Sequence, residues 1–122
     1  MAPPSIVLVE DDPSTRALLS ELLQVHGYEV FAAGDGAQAL RVLEIIPPPC
    51  AIILDLVLPK VDGWELLRHL AADPRLAQIP VVVLTASGGG APAGVYRFFR
   101  KPVDGDELIA AVTAVCPPRR GA

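Results

Sequence analysis

The sequence is short of lysine. Only Lys60 and Lys101 stand against eight arginines. Positive charge as a whole is in the minority, with ten basic residues, fourteen acidic ones and a net charge of −4. That balance argues against nucleic-acid binding as the main role. Cysteine is scarce too: Cys50 and Cys116 permit at most one bridge. Cys50 lies in an apolar run and reads as a small buried residue, not a redox centre; Cys116 reads as a free thiol. No stretch approaches the ~18 apolar residues of a membrane span. The N-terminus lacks the basic region and long apolar core of a secretory signal. These absences predict a soluble chain in a reducing, cytoplasmic setting, with no membrane partner.

What is present fits one domain. The chain has 122 residues, 52% of them hydrophobic and 20% charged, which is not a disordered composition. Proline (13) and glycine (10) are abundant. Together they make about a fifth of the chain, above average usage but below the roughly 25–30% of low-complexity disorder. The reading is a globular domain over residues 1–116, heavily punctuated, followed by a short tail or linker stub at 117–122. Charge is uneven. Residues 1–66 carry ten acids and three bases, and residues 67–122 carry four acids and seven bases.

Ser5–Val9 is a short β-branched run that reads as a buried strand and stops at Glu10, Asp11 and Asp12. Asp12 followed by Pro13 suits a helix cap with proline in the first turn. Ala17, Leu18, Leu22, Leu23 and Val25 continue that helix to Gly27. Glu29–Ala32 reads as a second strand. Ala39, Leu40, Leu43 and Ile46 place a helix over 35–46, ended by Pro47–Pro49. Ala51–Leu54 is a third strand, running into Asp55. A helix follows over Trp64–Ala72, ended at Asp73-Pro74. Val81–Leu84 and Val95–Phe99 read as the fourth and fifth strands. Asp104 caps a last helix that continues to Val115. Buried strands alternating with helices predict an α/β domain, one doubly wound parallel sheet covered on both faces.

One connection breaks the alternation. Between Thr85 and Val95 the sequence reads ASGGGAPAG. A parallel crossover normally takes a dozen or more residues, and three glycines with an interior proline oppose a helix. The helix expected there is absent or reduced to one turn.

In a doubly wound sheet, ligands bind outside the carboxyl ends of the strands. Those ends carry Glu10, Asp11, Asp12, Asp55, Thr85 and Lys101. Taken singly, each has an ordinary reading: a cap, a strand-terminal hydroxyl, a solvated charge. Taken together on one edge, they describe a site. Crowded carboxylates repel, and a divalent cation relieves that repulsion. Oxygen-only ligands favour Mg²⁺ or a similar hard ion such as Mn²⁺, and the lack of His or Cys at these ends disfavours zinc. A carboxylate between a metal and a lysine can attack phosphorus and form an aspartyl phosphate, with the threonine hydroxyl donating to a phosphoryl oxygen.

The segments IVLVEDDPSTRALL (6–19), ILDLVLPKVDGWELL (53–67), VVVLTAS (81–87) and FFRKPVDGDEL (98–108) together resemble the receiver domain of two-component response regulators, the CheY-like superfamily. The resemblance runs from Ile6 to Val115. It implies a five-stranded flavodoxin-like sheet of order 2-1-3-4-5. It also implies that Asp55 is the phosphoacceptor. Glu10 and Asp11 would hold Mg²⁺, with the backbone carbonyl of Val57 completing the protein's ligands. Thr85 would turn toward the phosphoryl group, Lys101 would pair with its oxygens, and Phe98 would move with Thr85. Lys101-Pro102 would be a cis peptide, which proline permits. The phosphoryl donor would be a histidine kinase or histidine phosphotransfer protein, and the signal would pass to a downstream protein partner. The domain would not be an enzyme acting on outside substrates. Asp12 matches a variable position and keeps its reading as a cap.

Two departures qualify this picture. Val57 and Ser87 lack the acid or amide side chains often found two residues after the aspartate and the threonine. The shortened segment before the fifth strand removes a helix that many receivers use for output. An alternative reading follows: a phosphorylation-independent interaction or dimerisation module, in which Phe98, Phe99 and nearby valines lose their cover and a second copy, forming a homodimer, or another partner buries them. A phosphohydrolase would want a general acid where Val57 stands, and a flavin phosphate would meet acids where it needs donors. Trp64 reads as cover for the core edge, His26 as a favourable charge near a helix end, His69 as solvated, and Arg119 and Arg120 as tail charges.

Overall fold

The computed structural model describes residues 3–58, 62–86 and 90–118. The elements run β1 (Ser5–Val9), α1 (Pro13–Val25), β2 (Glu29–Ala33), α2 (Gly36–Ile45), β3 (Ala51–Asp55), α3 (Gly63–Ala72), β4 (Val81–Thr85), β5 (Arg97–Arg100) and α4 (Gly105–Val115). Five parallel strands pair in the order β2-β1-β3-β4-β5. This is the flavodoxin-like sheet that the resemblance implied.

Alternation along the strands splits the core into two layers. Ile6, Leu8, Ile53, Val82, Leu84 and Phe99 face α1 and α4, where Leu19, Leu23, Leu108 and Val112 meet them. Val7, Val9, Ile52, Leu54 and Val83 face α2 and α3, where Ala39, Leu43, Leu66 and Leu70 close the other side. All residues of β3 and β4 are buried. Strands covered on both faces are apolar up to their last residues, here Asp55 and Thr85, which is why these runs show no polar alternation.

Helix starts follow capping chemistry. The Asp12 carboxylate accepts from the Thr15 N–H (2.9 Å) and hydroxyl (2.6 Å), as the cap reading expected. Asp35, Asp62 and Asp104 cap α2, α3 and α4 in the same way. The end of α2 is closed differently. Arg75 Nη2 donates to the carbonyls of Leu43 and Ile46, at 2.7 Å each, satisfying acceptors that a helix end leaves bare.

No helix lies between β4 and β5 among the described residues, Ala86 and 90–96; Ser87, Gly88 and Gly89 lie outside them. The fourth helix in chain order is Gly105–Val115, the one that the sequence reading placed last. The fifth strand begins two residues later than expected. Val95 instead packs against the α2–α3 layer, and Tyr96 N–H bonds Val81 O at 2.9 Å. The expectation of an uncovered apolar face needs correction. Phe99 is buried, Phe98 is half-buried, and Pro92 is buried within the short connection itself. Trp64 is 45% exposed, so it covers less of the core than expected. Pro59, Lys60, Val61, Arg119 and Arg120 lie outside the described residues.

The cysteines also depart from expectation. Cys50 and Cys116 form a disulfide across 66 residues, with Cα atoms 5.7 Å apart. No local signal announces it. Cys50 sits just before β3, Cys116 caps the end of α4, and only the packing of α4 over the central strands brings them together. No helix among the described residues is long and apolar enough to cross a membrane.

Candidate functional site

Parallel pairing puts every strand end on one edge. Val9 pairs with Leu54, Asp55 with Leu84, and Thr85 with Arg100. Glu10 follows β1 directly, Asp55 ends β3, Thr85 ends β4, and Lys101 follows β5. Side chains far apart in the chain therefore meet. Lys101 Nζ donates to Glu10 Oε1 at 2.6 Å and to Asp55 Oδ2 at 2.9 Å. Carboxylate oxygens of Glu10, Asp11 and Asp55 lie within 4.8 Å of one another. Glu10 (1% exposed), Asp55 (5%) and Thr85 (1%) are the buried polar side chains of the described residues. Asp11 is exposed at the rim.

The remaining lone pairs are used locally. Val57 N–H donates to Asp55 Oδ1 at 3.0 Å, and Asp12 N–H donates to Glu10 Oε2 at 3.2 Å. Thr85 O accepts from Lys101 N–H at 3.0 Å, which ties the end of β4 to the lysine. The Lys101-Pro102 peptide is cis, as the resemblance implied. Phe98 lies in the α2–α3 layer, with the Arg100 guanidinium 5.5 Å from its ring centre.

Charge is imperfectly balanced. Burial pushes Glu10 above the usual carboxylate range, although its hydrogen bond to Lys101 pulls the other way. For Lys101, burial favours the neutral amine, but hydrogen bonds to Glu10 and Asp55 outweigh it and raise its pKa. Three carboxylates face one ammonium. The donor set is all oxygen and carries excess negative charge, which fits a hard divalent cation such as Mg²⁺ or Mn²⁺ and offers a thiophilic metal nothing.

Two further residues, both inside the motif segments but given no role there, shape the site. Arg16 Nη1 donates to Glu10 O at 2.9 Å and approaches Asp11 O at 3.4 Å. Its guanidinium passes over Gly34, where a side chain would crowd it at 3.2 Å. Arg16 thus fixes the turn that presents both acids. The available signal was a basic residue one helical turn past an acidic run, easily read as a solvated helix charge. Gly63 is the second. A methyl there would collide with Leu56 Cα and lie 2.8 Å from Asp55 O. Glycine lets α3 begin against the backbone that carries Asp55, and Gly63 N–H bonds Leu56 O at 3.0 Å.

Comparison with known proteins agrees with this geometry. Residues 6–113 match the response regulator receiver domain. The DNA-binding dual master transcriptional regulator RpaA of Synechocystis is 39% identical over 118 residues, covering 92% of this chain and 48% of that protein. The transcriptional regulatory protein CpxR of Escherichia coli K12 is 35% identical over 116 residues, covering 90% and 48%. The chain spans about half the length of these curated relatives. The receiver domain of the sensor histidine kinase PA1611 from Pseudomonas aeruginosa, solved with a magnesium ion coordinated in its active site cleft, superposes with a TM-score of 0.84 at 29% identity, covering 93% of this chain and 97% of that one. With the motif order, the strand order and the acid–lysine cluster all in agreement, this chain belongs to the response regulator receiver domain family.

Proposed function

We propose that Asp55 accepts a phosphoryl group from a phosphohistidine on a histidine kinase or phosphotransfer protein. The observation that carries this reading is a buried aspartate held 2.9 Å from a lysine ammonium, in one cluster with two further carboxylates. An Asp55 carboxylate oxygen attacks phosphorus, the P–N bond to histidine breaks, and the imidazole nitrogen leaves with the electron pair. Lys101 stands where it can exchange its carboxylate partners for phosphoryl oxygens. The Thr85 hydroxyl donates to the same group, and Phe98 follows Thr85. Asp11, Asp55 and the Val57 carbonyl would hold Mg²⁺ or Mn²⁺, with Glu10 beside them; the bound ion supplies positive charge that offsets the phosphoryl oxygens.

The domain catalyses only its own phosphorylation and dephosphorylation, and water releases the phosphate. It works in the cytoplasm, where a kinase has access to ATP. Its net charge of −4 supports output through a protein partner. Relatives named as DNA-binding regulators are about twice as long, so a nucleic-acid contact stays open for any protein that carries this domain.

Acetyl phosphate with Mg²⁺, read by intact mass, tests the reading. One phosphoryl adduct is expected on the wild type and none on Asp55→Asn. An undiminished adduct in the variant, or no adduct on the wild type, overturns it.

A further inference from the structure

The disulfide lies at the end of the sheet away from the carboxylates. Cys50 precedes β3, the strand that ends in Asp55; Cys116 caps α4, the helix that follows Lys101 and Pro102. The bond joins two elements that each lead to the site at their other end. A second tie lies beside it: the Tyr28 hydroxyl, on the turn before β2, donates to Cys116 O.

The bond adds to a core that is already extensive. Five strands and two apolar layers close without it, and a domain of this size has core enough to fold unaided. The two residues differ in exposure. Cys50 is half-buried, whereas Cys116 is fully buried among Leu23, Val112 and their neighbours. In the reduced state Cys116 rests in an apolar setting that accepts a neutral thiol without leaving a polar group stranded. In a cytoplasmic protein, a disulfide is typically transient and redox-sensing.

We propose that Cys50–Cys116 is a thiol–disulfide exchange site that sets how firmly the last turn of α4 is held to the sheet. A thiolate of a dithiol attacks the Cys50 sulfur, the S–S bond breaks, and Cys116 leaves as a thiolate that takes up a proton. The second thiol of the dithiol then attacks the mixed disulfide. Cys50 is released as a thiol, and the reductant departs as its own disulfide. Two electrons pass to the protein. Glutathione disulfide runs the exchange backwards. Opened, α4 keeps its apolar face and the Tyr28 tie but loses its covalent anchor, so the segment leading away from Cys116 is loosened. The choice of compartment rests on the phosphorelay reading; the exchange itself uses no phosphodonor, so either can fail alone.

The test treats the folded chain with millimolar dithiothreitol, without denaturant, followed by maleimide labelling and intact mass. Untreated protein should take no label, reduced protein should take one label at the half-buried Cys50 and a second at the buried Cys116 when labelled after unfolding, and glutathione disulfide should restore the unlabelled state. Amide hydrogen exchange in the last turn of α4 should speed up on the order of tenfold on reduction, with β1 and β3 unchanged. Cys50→Ser should show the fast exchange without reductant and no response to it. If Cys50→Ser does not fold, the same comparison on the reduced wild type decides. A bond that opens only in denaturant, thiols that stay free with glutathione disulfide, or α4 exchange indifferent to reduction would each overturn the proposal.

Discussion

The two ends of the sheet are held by opposite means. At the carboxyl ends of the strands, buried charges hold one another: Glu10 and Asp55 share Lys101, and burial drives Glu10 toward its protonated form. At the amino end of β3, a covalent bond and a tyrosine hydroxyl tie α4 down inside an apolar layer. The first arrangement is costly and adjustable, because each ion has been taken out of water and its partner can be exchanged. The second is stiff and indifferent to cations. Rearrangement with cations and phosphoryl groups belongs at the first end, whereas the second yields to a thiol reductant, and the difference can be measured.

The largest stability change is expected at the stiff end. Closing a loop of 66 residues is worth up to about 4 kcal/mol in the chain-entropy account, and native disulfides typically supply 2–4. Reducing the bond should lower the melting temperature by roughly 10 °C, equally with and without Mg²⁺. Calorimetry of the oxidised and reduced chains reads this. A loss that depended on Mg²⁺ would show that the two ends are not independent.

A smaller loss is expected at the site. Lys101→Met leaves two buried carboxylates facing each other. Removing one partner of a buried pair costs about 3–5 kcal/mol, but Lys101 is partly exposed, so roughly 2 kcal/mol is expected after screening. Here the cation matters: millimolar Mg²⁺ should restore much of the loss, where it does nothing for the reduced disulfide. The pH dependence has a definite sign. The folded pKa of Lys101 lies above 10.5, so its contribution is complete below pH 10.5 and is lost as pH rises through the higher folded value. Wild type and variant should therefore converge in strong alkali. Denaturant melts across pH, with and without Mg²⁺, check both statements.

Tyr28→Phe tests the second tie alone. It removes the donor to Cys116 O and a 3.4 Å contact with Thr113 Oγ1, for about 1 kcal/mol. The effect should grow in reduced protein, where the hydroxyl is the remaining polar anchor of that helix end. Strict additivity between Tyr28→Phe and reduction would mean that the two ties do not share a load.

The same contrast governs what could be read from the residues. The site end was legible because its chemistry is local to strand ends: a run of apolar residues stops, and an acid, a threonine or a lysine follows. β1 stands at Ser5–Val9 as expected, and the other strand ends are displaced little. The opposite end was not legible, because nothing near Cys50 or Cys116 points to the other; the helix over the sheet makes the pair. Arg75 is similar. Its bonds to Leu43 O and Ile46 O cross about thirty residues, and in the sequence it is one more arginine after a proline. The cover over Phe98 was misjudged for another reason. A missing helix suggests a bare face, but Phe98 is half-buried in the α2–α3 layer and Phe99 is buried in the other.

The smallest expected effect lies at the rim of the adjustable end. Asp12 caps α1 through Thr15, and its hydrogen bonds to the Thr15 hydroxyl and N–H hold its pKa below 3.8. A lowered carboxylate pKa means that the cap contributes fully above pH 3.8 and fades as pH falls through the lower folded value. Asp12→Ala should lower the melting temperature slightly at neutral pH, and the difference should vanish in acid. The variant keeps the Asp12 backbone N–H that reaches Glu10 Oε2, so the carboxylate cluster keeps that contact, and phosphoryl adduct yield with acetyl phosphate should stay at the wild-type level. A yield that fell along with the cap would mean that the start of α1 is part of the adjustable end, and that the stiff region begins deeper in the helix than the burial of Leu19 and Leu23 indicates.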